Sequence, residues 1–297
     1  MTCPDTTCVE RTCCPPQEWE YLADEVVLWQ IADFGYPAGD PGQMSAIINA
    51  DTRADIVLTA GDNDYVGNYA LSVQPFYGVP WLARTKLYPC PGNHDWDYGT
   101  LLAPYLAYFS FLNGARYYSH RFGIVEVFML SDGFNSSMVN LEPGGYTAGT
   151  LDADGNPVGG SDQWRWFVRA VKASKAIWKI AFIHHPPWAS GNSHVGQPGV
   201  TANGSNIPLQ WQFKQIGIDL VISGHEHSYE RLLIDGMTYI VNGLGGVNWT
   251  GFGTPIAGSV VRYTNSFGAL RLAITPDSLT GEFRTASATP DTFTLTK

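Results

Sequence analysis

The chain has 297 residues, 44% of them hydrophobic, 13% aromatic and 15% charged, a globular composition with ample material for a large core. A formal net charge of -10 and a pI near 5.0 argue against a nucleic-acid backbone or an anionic membrane as partner. An anionic substrate stays open, because a bound metal ion can reverse the local field.

In chain order, the first 14 residues hold Cys3, Cys8, Cys13 and Cys14, and Cys90 stands alone further on. The even spacing of the first three fits disulfides within or between chains, or a small metal clip. It fits equally a loosely ordered tail that ends at Pro15-Pro16. Residues 1–20 are therefore set apart as a Cys/Pro-rich arm, a candidate for self-association or cross-linking, and residues 21–297 as a single domain. The opening stretch has neither the basic start nor the apolar run of a signal peptide, and no segment reaches the length of a membrane span.

EVVLWQIAD (25–33) and ADIVLTAGD (54–62) predict buried strands, and GQMSAIINADTRA between them has helical length, making a β-α-β unit. LYPCPGNHD (87–95) predicts a short strand running into a turn, and GIVEVFMLSD (123–132) alternates in part. SDQWRWFVRAVKAS predicts a helix capped by Ser161, with Trp164, Phe167, Val168 and Val171 on one face. WKIAFIHHPP and DLVISGHEHSYE predict two further strands with polar ends; MTYIVNG, ALRLAIT and LTGEFRT predict antiparallel strands. Residues 136–160 and 189–206 read as long loops, a class often functional.

Polar residues gather where strands stop. Asp33, Asp62, Asn93, His184 and the pair His225/His227 terminate five predicted strands. If those strands share one sheet edge, their ends converge where ligand sites form in open α/β sheets. In GHEH, alternation along a strand would put His225 and His227 on one side. Each piece alone has a plainer use: ADFG and GNHD are good turn sequences, and a lone histidine is commonly a satisfied buried side chain. Together with Tyr65, three residues beyond Asp62 in GDNDY, they form a set of oxygen and nitrogen donors without a thiolate. Such a set suits iron, zinc or manganese, and seven donors exceed what one tetrahedral ion needs.

These blocks resemble the calcineurin-like metallophosphoesterase superfamily, whose motifs run D-x-G/H, GD, GNH, H and GHxH. GDNDY and GHEHSYER narrow the resemblance to the purple acid phosphatases, in a compact single-domain form, over roughly residues 25 to 285. The resemblance implies an α/β (α+β) fold of two packed mixed sheets flanked by helices, with a binuclear metal site at the C-terminal edge of the strands. It implies Fe(III) held by Asp33, Tyr65 and His227, and a divalent ion (Zn, Fe or Mn) held by Asn93, His184 and His225, with Asp62 bridging. Tyr65 would serve as a phenolate, a hard anion suited to trivalent iron. The implied activity is hydrolysis of phosphate monoesters on small molecules by a metal-bound hydroxide. His94 is the family's candidate for protonating the leaving group, Asp95 would orient His94, and His194 resembles a substrate-binding histidine. His185 has no matching role and reads as a structural contact. The chain is expected to be secreted, periplasmic or otherwise extracytoplasmic, and the roles of His94 and His194, each acting best when protonated, predict activity at acid pH.

Two other functions share the features. One is a phosphodiesterase or nucleotide hydrolase using the same metal pair, with specificity set by the two long loops. The other is a non-catalytic assembly protein with a residual metal site, in which the cysteine arm does the joining. Asn135, Asn203 and Asn248 head N-x-S/T sequons, relevant only to a chain secreted by a glycosylating cell.

Overall fold

The computed structural model describes residues 25–297 apart from 79–80, 85, 138, 143–144, 196–199 and 202–203. The cysteine arm, its suggested cross-linking and the Asn203 sequon lie outside the described residues.

The strands are β1 (Val26–Ile31), β2 (Ile56–Ala60), β3 (Leu87–Cys90), β4 (Tyr118–Phe122), β5 (Val125–Met129), β6 (Thr150–Leu151), β7 (Pro157–Val158) and β8 (Trp178–Phe182). They continue as β9 (Leu220–Ser223), β10 (Tyr229–Ile234), β11 (Met237–Asn242), β12 (Ser259–Tyr263), β13 (Gly268–Ile274), β14 (Ser278–Thr285) and β15 (Asp291–Thr296). One sheet has the order β15-β14-β13-β1-β2-β3, and a second has the order β12-β10-β11-β9-β8-β5-β4. Both are mixed. In the first, β1, β2 and β3 are parallel and β13, β14 and β15 antiparallel. In the second, β5, β8, β9 and β11 are parallel, with antiparallel neighbours at the margins.

The sequence explains the layering. β1 reads VVLWQI and all six residues are buried, so both of its faces must be covered. Alternation sends Val26 and Leu28 inward to meet Val127, Ile180, Phe182 and Ile222 of the other sheet. Val27, Trp29 and Ile31 point the other way, onto Met44 and Ile48 of the helix Pro41–Ala50. On the far side, Phe128, Ala181 and Val221 pack on Trp164, Phe167, Val168 and Val171 of the helix Asp162–Ala173. That helix begins as its sequence predicts, with Ser161 Oγ accepting from Trp164 N at 3.2 Å. The result is helix, sheet, sheet, helix. Among the described residues no helix is long and apolar enough to cross a membrane.

Four expectations need correction. The five polar strand ends do not lie on one sheet: β1, β2 and β3 belong to the first, β8 and β9 to the second, and it is two sheet edges that meet. MTYIVNG, as β11, is antiparallel to β10 but parallel to β9, because β10 turns back and inserts between β11 and β12. The stretch 136–160 is not loop throughout, since β6 and β7 pair antiparallel within it. Finally, residues 224–228 are a bend between β9 and β10, not strand.

Beyond the bend, Tyr229 and Arg231 of GHEHSYER serve the fold. Tyr229 Oη donates to Asp291 Oδ2 at 2.8 Å, and Arg231 grips both Asp291 oxygens at 2.7 and 3.0 Å. Asp291 begins β15, so this contact ties the second sheet to the last strand of the first.

Candidate metal centre

Short connections after β1, β2, β3, β8 and β9 place the donor side chains, and the backbone there is unusual. Asp33, Asp62 and His225 all have left-handed φ, at 56°, 53° and 68°. For residues with a Cβ this is disfavoured, and such strain concentrates at functional sites. The turns are stitched together: Asp33 N donates to Gly61 O at 3.1 Å, Gly35 N to Asp62 O at 3.2 Å and Tyr65 N to Gly35 O at 2.9 Å. Space is equally constrained. A Cβ on Gly61 would lie 2.3 Å from His184 Nδ1, and one on Gly92 would lie 2.3 Å from Asp62 Oδ1. The glycines of GD and GN are therefore needed for close approach of the donors.

The seven donors form one contiguous cluster. Asp33, Asp62 and His184 offer ligand atoms within 4.8 Å of one another. His184 Nε2 lies 3.3 Å from Asp62 Oδ1 and 2.9 Å from Asn93 Oδ1. His225 Nδ1 also meets Asn93 Oδ1, at 2.9 Å. On the other side Tyr65 Oη is 3.2 Å from Asp33 Oδ1 and 3.4 Å from His227 Nε2, and His227 Nε2 is 3.4 Å from Asp33 Oδ1. The GHEH imidazoles diverge instead of sharing a side: His225 turns toward Asn93 and His227 toward Tyr65. The left-handed bend at His225 is what separates them.

The residues fit a bound cation. His184 Nδ1 donates to Ala60 O at 2.8 Å, and His227 Nδ1 meets Asn248 Oδ1 in a close contact. Each leaves Nε2 facing the carboxylates, the arrangement of metal-bound histidines. His225 faces Asn93 Oδ1 through Nδ1, and its Nε2 is buried with no hydrogen-bond partner among the described residues. Asp33 and Asp62 are both fully buried or nearly so, and each accepts a backbone N–H, from His225 and His94 respectively, at 2.9 Å.

The electrostatics tell the same story. Burial works to raise the Asp62 carboxyl, but the neighbouring His184 outweighs it and holds Asp62 well below its ordinary value. Burial works against a charged His184, yet Asp62 and Asp33 push its pKa up to about 10. Burial, then the Asp62 and Asp33 carboxylates, drive the Tyr65 phenol well above its ordinary value. Burial and the surrounding histidines push His225 the other way, well below its ordinary value. Concentrated negative charge facing neutralisable nitrogens is what a bound cation would relieve.

A family model for the calcineurin-like phosphoesterases matches residues 26–229, well over half of the chain. The chain belongs to the calcineurin-like phosphoesterase family. Among curated relatives, Phosphoenolpyruvate phosphatase of Allium cepa is 23% identical over 205 residues, covering 61% of this chain and 37% of that one. Probable purple acid phosphatase 20 of Arabidopsis thaliana is 25% identical over 200 residues, covering 60% and 40%. The chain thus spans about two fifths of the length of these relatives. Purple acid phosphatase PPD1 of yellow lupin (Lupinus luteus) has a TM-score of 0.66 at 18% identity, with 92% of this chain and 54% of that one aligned. GAP50, described as the anchor in the inner membrane complex of Plasmodium, has a TM-score of 0.61 at 14% identity, with 92% and 89% aligned. Both share the fold.

Around these donors the other candidates sort differently. His94 packs its ring on Tyr65, with centroids 4.2 Å apart, and its Nε2 is 4.0 Å from Asp62 Oδ2. Its Nδ1 pairs with Asp97 Oδ2 at 3.0 Å. Asp95, expected behind His94, does other work: it accepts from Gly92 N, Asn63 N, Asn63 Nδ2 and Tyr69 Oη at 2.7–3.2 Å. Its carboxylate knits the turn after β2 to the turn after β3, and the residue that meets His94 is Asp97, three positions along. His194 stacks on His225 with centroids 3.8 Å apart. His185 is buried, with N and Nδ1 both on Asp132 Oδ2 at 2.9 and 2.6 Å, the structural contact its sequence suggested. Asp97, Asn248 and Glu226 escaped the sequence reading. Asn248 showed only as a sequon, and the three-residue spacing from His94 to Asp97 in a turn was the one available signal.

Proposed function

We propose that this chain is a metal-dependent phosphatase that hydrolyses phosphate monoesters of small molecules at a binuclear centre. The observation that carries the reading is the convergence of seven oxygen and nitrogen donors from the ends of five strands in two sheets. Asp33, Tyr65 and His227 would hold one ion, Asn93, His184 and His225 the other, and Asp62 lies between the two groups. Bound there, a pair of cations would polarise the phosphate and activate water as a nucleophile. The phosphatase names of the curated relatives support the same activity.

The chain's own residues supply orientation and protons. Asp97 holds Nδ1 of His94, so that Nε2 faces the cluster and can deliver a proton to the departing oxygen. His194, stacked on His225, would meet a phosphate oxygen. Iron at the Tyr65 side follows from the phenol's hardness as a donor once ionised, and an extracytoplasmic location belongs to the same proposal.

Metal analysis with a visible spectrum, joined to a side-by-side assay of a monoester and a diester, tests all of this. The expected result is two metals per chain, a phenolate-to-iron band that Tyr65→Phe removes, and preference for the monoester. Metal-loaded protein that cleaves neither ester would overturn the phosphatase reading. A colour that survives Tyr65→Phe would overturn the iron assignment alone.

A further inference from the structure

Glu226 sits between the two histidines of GHEH and belongs to neither donor group. Its side chain is fully buried, with Oε1 3.3 Å from His194 Nδ1 and Oε2 without a hydrogen-bond partner among the described residues. Burying a half-paired carboxylate is costly, so its retention asks for a reason.

The surroundings are shaped to it. A Cβ on Gly191 would lie 2.1 Å from Glu226 Oε2, and one on Gly204 would lie 2.8 Å from Oε1. Both glycines come from the 189–206 segment, so its backbone at Gly191 and at Gly204 lies close against a carboxylate delivered by the bend after β9. A second glutamate pins the same segment: Glu230 Oε2 accepts from Ser190 N at 2.6 Å. Between these anchors His194 is held with its ring 3.8 Å from that of His225 and inclined by only 27°. Its side chain keeps 23% of its surface open to solvent, enough to be met by a ligand.

We propose that Glu226 is a positioning residue for phosphate recognition: it takes the Nδ1–H of His194, fixes the ring flat on His225, and leaves Nε2 to meet a phosphate oxygen. The inference rests on the phosphatase reading of the metal centre and adds to it the device that fixes the substrate-facing histidine. A histidine on a long segment is otherwise free to rotate, and small misplacements of such a group carry large kinetic losses. Because Glu226 acts through His194, the two residues should be energetically coupled and not additive.

The wild-type protein gives the first test. With zinc alone added at pH 8, long-range 1H–15N NMR should show His194 carrying its proton on Nδ1; a ring protonated mainly on Nε2 would overturn the proposal. Kinetics give the second. Glu226→Ala should lower kcat/KM for a phosphate monoester about tenfold, mainly through KM, but by less than about twofold in a His194→Ala background. Glu226→Gln, which keeps an acceptor oxygen at the same reach, should recover most of the loss. Equal losses in both backgrounds, or no loss in the first, mean that Glu226 only packs, and the proposal fails. If the loaded protein hydrolyses no ester at all, the phosphatase reading falls, while the Nδ1 signal still decides whether Glu226 holds His194.

Discussion

Three of the residues gathered at the strand ends, Asp33, Asp62 and His225, keep a left-handed backbone that costs about 1–2 kcal/mol apiece. That conformation turns the three residues toward one another where the two sheet edges meet, and the hydrogen-bonded turns hold it there. At this scale the pair of His94 and Asp97 is the sharpest place to intervene. The Asp97 carboxylate also accepts from Ser136 N and Oγ, at 3.0 and 2.8 Å, so its position is fixed from the far side as well. We expect Asp97→Asn to slow hydrolysis of esters with poor leaving groups by about 10–100-fold and to leave good leaving groups nearly untouched, because only the former need the proton. Rates for an alkyl and a nitrophenyl phosphate check this, and equal losses for both would remove His94 from proton delivery.

Among the elements, the bend between β9 and β10 does two things within eight residues: it supplies His225, Glu226 and His227 to the centre, then sends Tyr229 and Arg231 to Asp291. The latter contact is largely buried, with the Asp291 side chain 4% exposed. Asp291→Ala leaves the Arg231 charge and the Tyr229 hydroxyl without their acceptor and should destabilise the protein by about 3 kcal/mol, read from denaturant unfolding. Metal content should fall with it if β10 carries the strain to the bend; unchanged stability would mean that the strap is idle. How legible these elements were follows from their physics. β1 and β2 are largely apolar runs that each lead into a carboxylate, and the helix Asp162–Ala173 has both a cap and a one-sided apolar face, so both kinds were readable. Which strand pairs with which was not, because period-2 alternation specifies faces and says nothing of neighbours. GHEH misled for the same reason: the letters fit a strand, and only the close packing of the bend against Asp33 shows that it is not one. Asp97, Glu226 and Asn248 were hidden because their roles are set by what they touch, not by the residues beside them.

For the molecule as a whole, the centre makes stability depend on pH and on metal together. In chelated protein the His184 imidazole, ordinarily titrating at 6.5, keeps its proton up to about 10; burial opposes that charge, but Asp62 and Asp33 prevail. Folding is therefore favoured by this proton below pH 6.5, and the benefit is lost as pH rises through about 10. Asp95, raised by burial and then by the Asp62 charge from 3.8 to about 7, contributes with the same sign at lower pH. Thermal unfolding of chelated protein should show Tm falling between pH 6.5 and 10. A metal-loaded sample should lose much of that decline, since His184 then needs no proton, and metal uptake at pH 7 should release protons, measurable by calorimetry in buffers of different ionisation enthalpy. A flat Tm profile without metal would contradict the charge balance described for His184.

The order of strands in the first sheet also bears on how the molecule comes to life. Every donor lies at or before residue 227, yet β1 is flanked on one side by β13, which begins at Gly268. During synthesis a nascent chain that has emerged as far as Tyr263 owns all seven candidate donors while the strand that leads to Asp33 still has an open, aggregation-prone border. Cation capture should then wait for the closing β13–β15 meander, so the last thirty or so residues act as the latch on a centre to which they contribute no atom.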